Sequence, residues 1–152
     1  LDTRPEMLFR LILDTGIKKS EAVEIKPIDI DRSDPRHPVL TIRHKVRNVW
    51  KERRIDLDPD WLRLLDAYLG QYAPPERIFN CTARNLEYIL TDVGDAAGIP
   101  TKLSFEMLRW TCAVRDRRAG MKEETLRHKL GLSEITWYET WPKIEKLSAP
   151  AL

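Results

Sequence analysis

Cysteine is scarce in this chain: two in 152 residues, Cys81 and Cys112. Two cannot build a disulfide scaffold or a four-cysteine zinc site, and such usage fits a reducing compartment, so a cytoplasmic setting is expected. Histidine is limited to His37, His44 and His128, too scattered for a metal cluster; neither a metal nor a cofactor is expected. No apolar run approaches the roughly 20 residues of a membrane span, so no membrane partner is expected. The opening Leu1-Asp2-Thr3-Arg4-Pro5 does not read as a signal peptide. Charge of one sign is lacking too: 26 Lys and Arg face 24 Asp and Glu, a net +2. Composition alone therefore does not announce a nucleic-acid partner. What is there is ordinary globular material, 42% hydrophobic and 33% charged, which argues against disorder. The length suits one domain with a real core.

Apolar periodicity predicts a mainly helical chain. Met7-Leu8 and Leu11-Ile12 are spaced for a helix from Pro5 to Asp14, with Gly16 at its end. A short helix starts at Ser20, and residues 25–36, rich in Asp and Pro, read as loop. The runs Val39–Ile42 and Arg54–Leu57 read as a β-hairpin around a polar centre with a long turn. A helix after Pro59 carries Trp61, Leu64, Leu65, Tyr68 and Leu69 on one face and ends at Pro74-Pro75. Thr82 caps a helix striped with Leu86, Ile89, Leu90, Val93 and Ala97, and Ser104 caps one that runs to Ala119-Gly120. Two more helices, about 122–130 and 134–147, are broken at Gly131.

The charge is segregated. Residues 43–54 carry six Arg and Lys (Arg43, Lys45, Arg47, Lys51, Arg53, Arg54) against the single acid Glu52. Such a hairpin is either a solvated face or a finger that meets phosphates. Residues 107–129 carry a further excess: Arg109, Arg115, Arg117, Arg118, Lys122, Arg127 and Lys129 against Asp116, Glu123 and Glu124.

Three blocks in order resemble the catalytic domain of tyrosine recombinases, the phage integrases. Thr15-Gly16-Ile17-Lys18-Lys19-Ser20-Glu21 is similar to a T-G-(L/M)-R-x-S-E box. Leu108-Arg109-Trp110-Thr111, with Ala113 and Gly120, is similar to an L-R-H-T-x-A helix. Leu130-Gly131-Leu132-Ser133, with Ile135, is similar to L-G-H-S-x-I. The resemblance implies an α+β, mainly helical catalytic-type bundle with a small antiparallel hairpin at one edge. It also implies one domain over residues 1–152, without the core-binding domain that precedes it in the family, and duplex DNA as partner. A partner recombinase or self-association follows as a further expectation.

The family's site joins a tyrosine nucleophile, two phosphate-bracing arginines, a hairpin lysine that protonates the leaving hydroxyl, and two hydrogen-bonding positions. Carried over, the first arginine is Lys18, which keeps the charge but not the planar fork. The hairpin lysine is best matched by Lys45, with Lys51 as rival. The first histidine is Glu106, the second arginine is Arg109, the later histidine is Leu132, and the nucleophile falls on Trp141. A leucine cannot hydrogen-bond, an indole cannot form the covalent link, and a carboxylate repels phosphate. Tyr138, one helical turn before Trp141, is an alternative nucleophile. The expected function is DNA binding by a recombinase-type domain with a degenerate site, impaired or silent in strand cleavage, with Arg43, Lys45, Arg47, Lys51 and Arg109 on the DNA. The alternatives are a divergent active recombinase using Tyr138, and a protein-interaction module without DNA.

Plainer readings compete at several positions. Arg109 can pair with Glu106 along one helix face. Trp110, Cys112 and the stripe Trp137, Trp141, Ile144 suit a core, His128 suits solvent, and His44 can touch DNA. Leu126 to Tyr138 also resembles a helix-turn-helix, which would turn Ser133, Glu134, Thr136 and Trp137 to base edges.

Overall fold

The computed structural model describes residues 2–74 and 76–150; Leu1, Pro75, Ala151 and Leu152 lie outside it, and with them Pro75's expected part in ending a helix. The first helix, α1 (Arg4–Thr15), has Pro in its first turn and closes on Gly16 at φ 66°, whose N–H returns to the Ile12 carbonyl. Met7, Leu8, Leu11 and Ile12 are buried, as their spacing predicts. After the short α2 (Lys19–Ala22) the chain makes a 3-10 turn at Pro27–Asp29 and a two-residue strand, β1 (Ile30–Asp31). The segment expected to be loop therefore adds a strand, and the hairpin becomes a three-stranded antiparallel sheet in the order β1-β2-β3.

Strands β2 (Val39–Val46) and β3 (Val49–Asp56) run through the polar centre rather than stopping at it. Val46 pairs with Val49, so the turn is the dipeptide Arg47-Asn48, not the long turn expected. Both turn residues have positive φ, 50° and 65°, the backbone that lets a two-residue turn follow the strand twist. Leu40, Ile42 and Ile55 on one face of this sheet enter the main core.

The helices follow in the expected order: α3 (Trp61–Tyr72), α4 (Ala83–Ala96), α5 (Phe105–Arg118), α6 (Glu123–Leu130) and α7 (Glu134–Ser148). Thr82, Ser104 and Ser133 cap α4, α5 and α7 by accepting from the third backbone N–H beyond them. The α4 stripe differs at one end: Leu86 and Leu90 are buried but Ala97 is exposed. Helix α5 is central, packing on α1 and on α6 and α7. Its Phe105 and Leu108 enter the main core. Its Ala113 belongs to a second core with Leu126, Leu130, Trp137 and Ile144. Trp137 is buried and donates its indole N–H to Glu123 at 3.1 Å, so it cannot serve as a base-reading residue of a helix-turn-helix.

Gly131 ends α6 at φ 66°, and a Cβ placed there would sit 2.7 Å from Arg53 Nη1. Only glycine suits both the left-handed backbone and this close approach. Gly131→Ala is expected to destabilise the fold by at least the roughly 1–2 kcal/mol of left-handed strain, with more for moving Arg53. Urea denaturation measures this, and a variant as stable as the parent contradicts it.

Candidate phosphate-binding site

The alternation of β3 sends Arg53 inward beside Ile55, and a charge there must be fully partnered to be tolerated. Its Nη1 and Nη2 reach the Glu21 carboxylate at 2.6 and 2.7 Å, and its Nε donates to the Lys129 carbonyl at 3.0 Å. Both side chains are almost wholly buried, at 2% and 4% exposure. Glu21 also accepts from the Lys18 backbone N–H at 3.0 Å. Burial alone would raise the Glu21 carboxyl, but Arg53 and that N–H outweigh it and hold it below the ordinary range. Arg53 Nη1 further donates to His44 Nδ1 at 3.3 Å, which requires that nitrogen to be unprotonated. Burial, then Arg53, lowers the His44 pKa, so the ring is neutral at pH 7.

Arg109 is fixed by backbone rather than by an acid. Its Nε donates to the Gly16 carbonyl at 2.8 Å and its Nη2 to the Leu130 carbonyl at 3.1 Å. The alternative pairing with Glu106 is not made: Glu106 is exposed and no ion pair joins the two. Burial lowers the Arg109 pKa. Lys18 is half-buried beside it; burial lowers its pKa, opposed by Glu21 and reinforced by Arg109 and Arg53. Among the described residues no carboxylate lies within 4 Å of the Lys18 ammonium. Lys18, Glu106, Arg109 and Leu132 line one groove of about 650 Å³, with Thr136, Thr140 and Ile144 of α7 on its far side.

The remaining positions lie outside this groove. Trp141 stacks on Trp137 with centroids 5.4 Å apart, under the Arg117 guanidinium. Tyr138 is 84% exposed. It sits about 200° around the helix from groove-lining Thr136, counting 100° per residue. On the sheet, Lys51 shares the inward-facing set with Arg53 and stands opposite His44. Lys45 is on the other face, opposite Trp50, with its ammonium 5.6 Å from the indole centroid. Arg43 is tied to Asp29 and Glu52. Among the described residues, Lys45, Arg47 and Lys51 have no carboxylate within 4 Å.

The second basic segment is largely consumed inside the fold. Lys129 pairs with Asp116 at 2.6 Å, and Arg127 reaches Glu124 and Glu134. Arg117 and Arg118 donate to the Met121 and Leu147 carbonyls. Sequence reasoning missed Arg53 as the buried hub and His44 as its neighbour. Counting back by two from Ile55 was the signal that would have turned Arg53 and Lys51 inward.

No protein-family model and no curated protein matches the chain. Solved structures do. XerA recombinase superposes with a TM-score of 0.78 at 19% identity, covering 99% of this chain and 60% of that one. XerH site-specific recombinase bound to difH substrate gives 0.76 at 18%, covering 97% and 45%. A lambda integrase dimer bound to a core site gives 0.66 at 17%, covering 89% and 50%. The chain thus spans about half the length of the structures it matches, and its fold is the integrase catalytic-domain fold. Among the described residues no helix is long and apolar enough to cross a membrane.

The buried pair gives a pH prediction. A carboxyl held below its unfolded value contributes stability that is complete above the ordinary glutamate pKa, about 4.3, and is lost as pH falls through the depressed value. Glu21→Gln should therefore be clearly less stable than the parent at pH 7, with the gap closing in acid. Arg53→Ala should cost about 3–5 kcal/mol by leaving the carboxylate uncompensated. Thermal midpoints across pH measure both, and a pH-independent gap for Glu21→Gln contradicts the pairing.

Proposed function

We propose that this chain binds duplex DNA through its backbone and does not cleave it. The observation that carries the reading is Lys18: a half-buried ammonium without a carboxylate, beside Arg109 in an open groove. An unpaired half-buried cation is costly unless an anion completes it, and a backbone phosphate has the right charge and oxygens. The hairpin supplies the flanking contacts. Lys45, Arg47 and Lys51 remain available to phosphates, whereas Arg43 is engaged by Asp29 and Glu52. Lys51, on the face of His44 and Arg53, is better placed than Lys45 for the position nearest the groove.

Silence in cleavage follows from the residue types and their placement. Strand transfer needs an oxygen nucleophile held near the braced phosphate. Trp141 has none, Leu132 offers no hydrogen bond, and Glu106 brings negative charge to the groove. Tyr138, the alternative nucleophile, faces away from it. Loss of one preorganised donor costs on the order of 3 kcal/mol of transition-state stabilisation. A regulatory role toward a partner recombinase is compatible with this reading, since a bound but inactive domain occupies the site.

Two measurements test it. A gel shift on random duplex DNA should show binding at roughly 10⁻⁴ to 10⁻⁶ M in physiological salt, weakening steeply as salt rises. Replacing Lys45, Arg47 and Lys51 with Ala should flatten the salt slope, and Lys18→Ala should weaken binding further; absence of salt-dependent binding favours the protein-interaction alternative. A nicked suicide duplex should give no covalent band on a denaturing gel. A band that disappears in Tyr138→Phe would establish the divergent enzyme instead. Lys18→Arg, Glu106→His, Leu132→His and Trp141→Tyr combined is the variant expected to regain covalent capture.

A further inference from the structure

The tip of the β2–β3 hairpin carries more than charge. Because the turn takes only Arg47 and Asn48, both strands stay paired to the end and their side chains alternate strictly. Trp50 therefore projects from the face opposite Arg53 and the core, at 65% exposure, and its neighbour Val49 is 57% exposed. The Lys45 ammonium lies over the indole, which restrains the ring and occupies one side of it. An indole left this open at a hairpin tip contributes nothing to the core of the fold.

Its surroundings select the partner. Lys45 shares the face of the ring, Arg47 follows in the turn and Lys51 stands on the opposite face of the same tip; no carboxylate of the described residues approaches these three within 4 Å. A complementary surface must be anionic and must also offer a flat apolar face. A nucleobase on a phosphate chain meets both demands at the spacing of one residue. In intact duplex the base faces are covered by their neighbours, so the indole needs a base that is already unstacked. We infer that Trp50 is a base-stacking side chain, and that the hairpin takes an unpaired base of gapped or bulged DNA onto the indole while its cations hold the adjoining phosphates. This inference rests on the DNA-binding reading and adds the class of DNA preferred.

The test compares a short intact duplex with the same duplex carrying a single-stranded gap, by fluorescence anisotropy, with 2-aminopurine in the gap as a second readout. The parent should prefer the gapped DNA by about 5- to 150-fold, the range of one base–aromatic stack, and should quench the 2-aminopurine. Trp50→Ala should bind both DNAs alike and leave the probe unquenched, while Trp50→Phe keeps part of the preference. Replacing Lys45, Arg47 and Lys51 with Ala should weaken both DNAs together. If the parent binds intact duplex in a salt-dependent way but shows no preference, the stacking role is overturned and the DNA-binding reading stands. A preference that survives in Trp50→Ala also overturns it. Binding to neither DNA overturns both.

Discussion

Arg53 joins the sheet, α2 and the end of α6 through one buried guanidinium. Its guanidinium ties β3 to Glu21 of α2 and to the C-terminal carbonyl of Lys129 in α6. Glu21 in turn holds the Lys18 backbone, and Gly131 must lack a side chain for the guanidinium to fit. The hairpin, the T-G-I-K-K-S-E turn and the α6–α7 junction are thereby set in one arrangement. Replacing such a pair with apolar groups is often neutral elsewhere, but here the pair also sets where Lys18 and the inward hairpin residues stand. Its geometry specifies position as much as it supplies stability.

The two basic segments, alike in sequence, have different fates. In residues 107–129 the cations meet acids and helix-end carbonyls of their own neighbourhood. Cations in the last turn of α5 and α6 also lie where the helix dipole favours them. In the hairpin, alternation divides the charges: Arg53 is buried, Arg43 and Arg54 are matched by acids, and Lys45, Arg47 and Lys51 are left at the distal end. The count of basic residues overstated the free positive surface, because a carboxylate several elements away is invisible to a window along the sequence.

Local signals survived best. The caps Thr82 and Ser104, the stops at Gly16 and Gly131, and the stripes Met7–Ile12 and Trp61–Tyr68 act within a turn or two, and the structure follows them. The hairpin's turn was misjudged because Arg47 and Asn48 are not the glycine-bearing pair that announces a two-residue turn. Strand β1 was hidden because two residues, Ile30 and Asp31, carry no period and pair only through β2. At the site, residue types were readable but directions were not: whether Tyr138 or Thr136 faces the groove depends on how α7 packs on α5. That packing is decided by Trp137 and Ile144 in the second core.

Arg109 and Lys18 carry unequal weight for the same reason. Arg109 stitches the end of α1 to the end of α6 through the Gly16 and Leu130 carbonyls. The fold needs that guanidinium whether or not a phosphate ever arrives, so its presence says little about chemistry. Lys18 has no such duty. Its ammonium has no carboxylate within 4 Å among the described residues; burial lowers its pKa, Glu21 opposes that, and the guanidinium groups of Arg109 and Arg53 add to it. On the DNA-binding reading, such a side chain is explained by what fills the groove. An anion there, on that reading, complements Lys18 and Arg109, two of the cations that line the groove. The α7 face that lines the groove carries the small hydroxyls of Thr136 and Thr140 together with Ile144, and it is on this face that the proposed silence in cleavage turns.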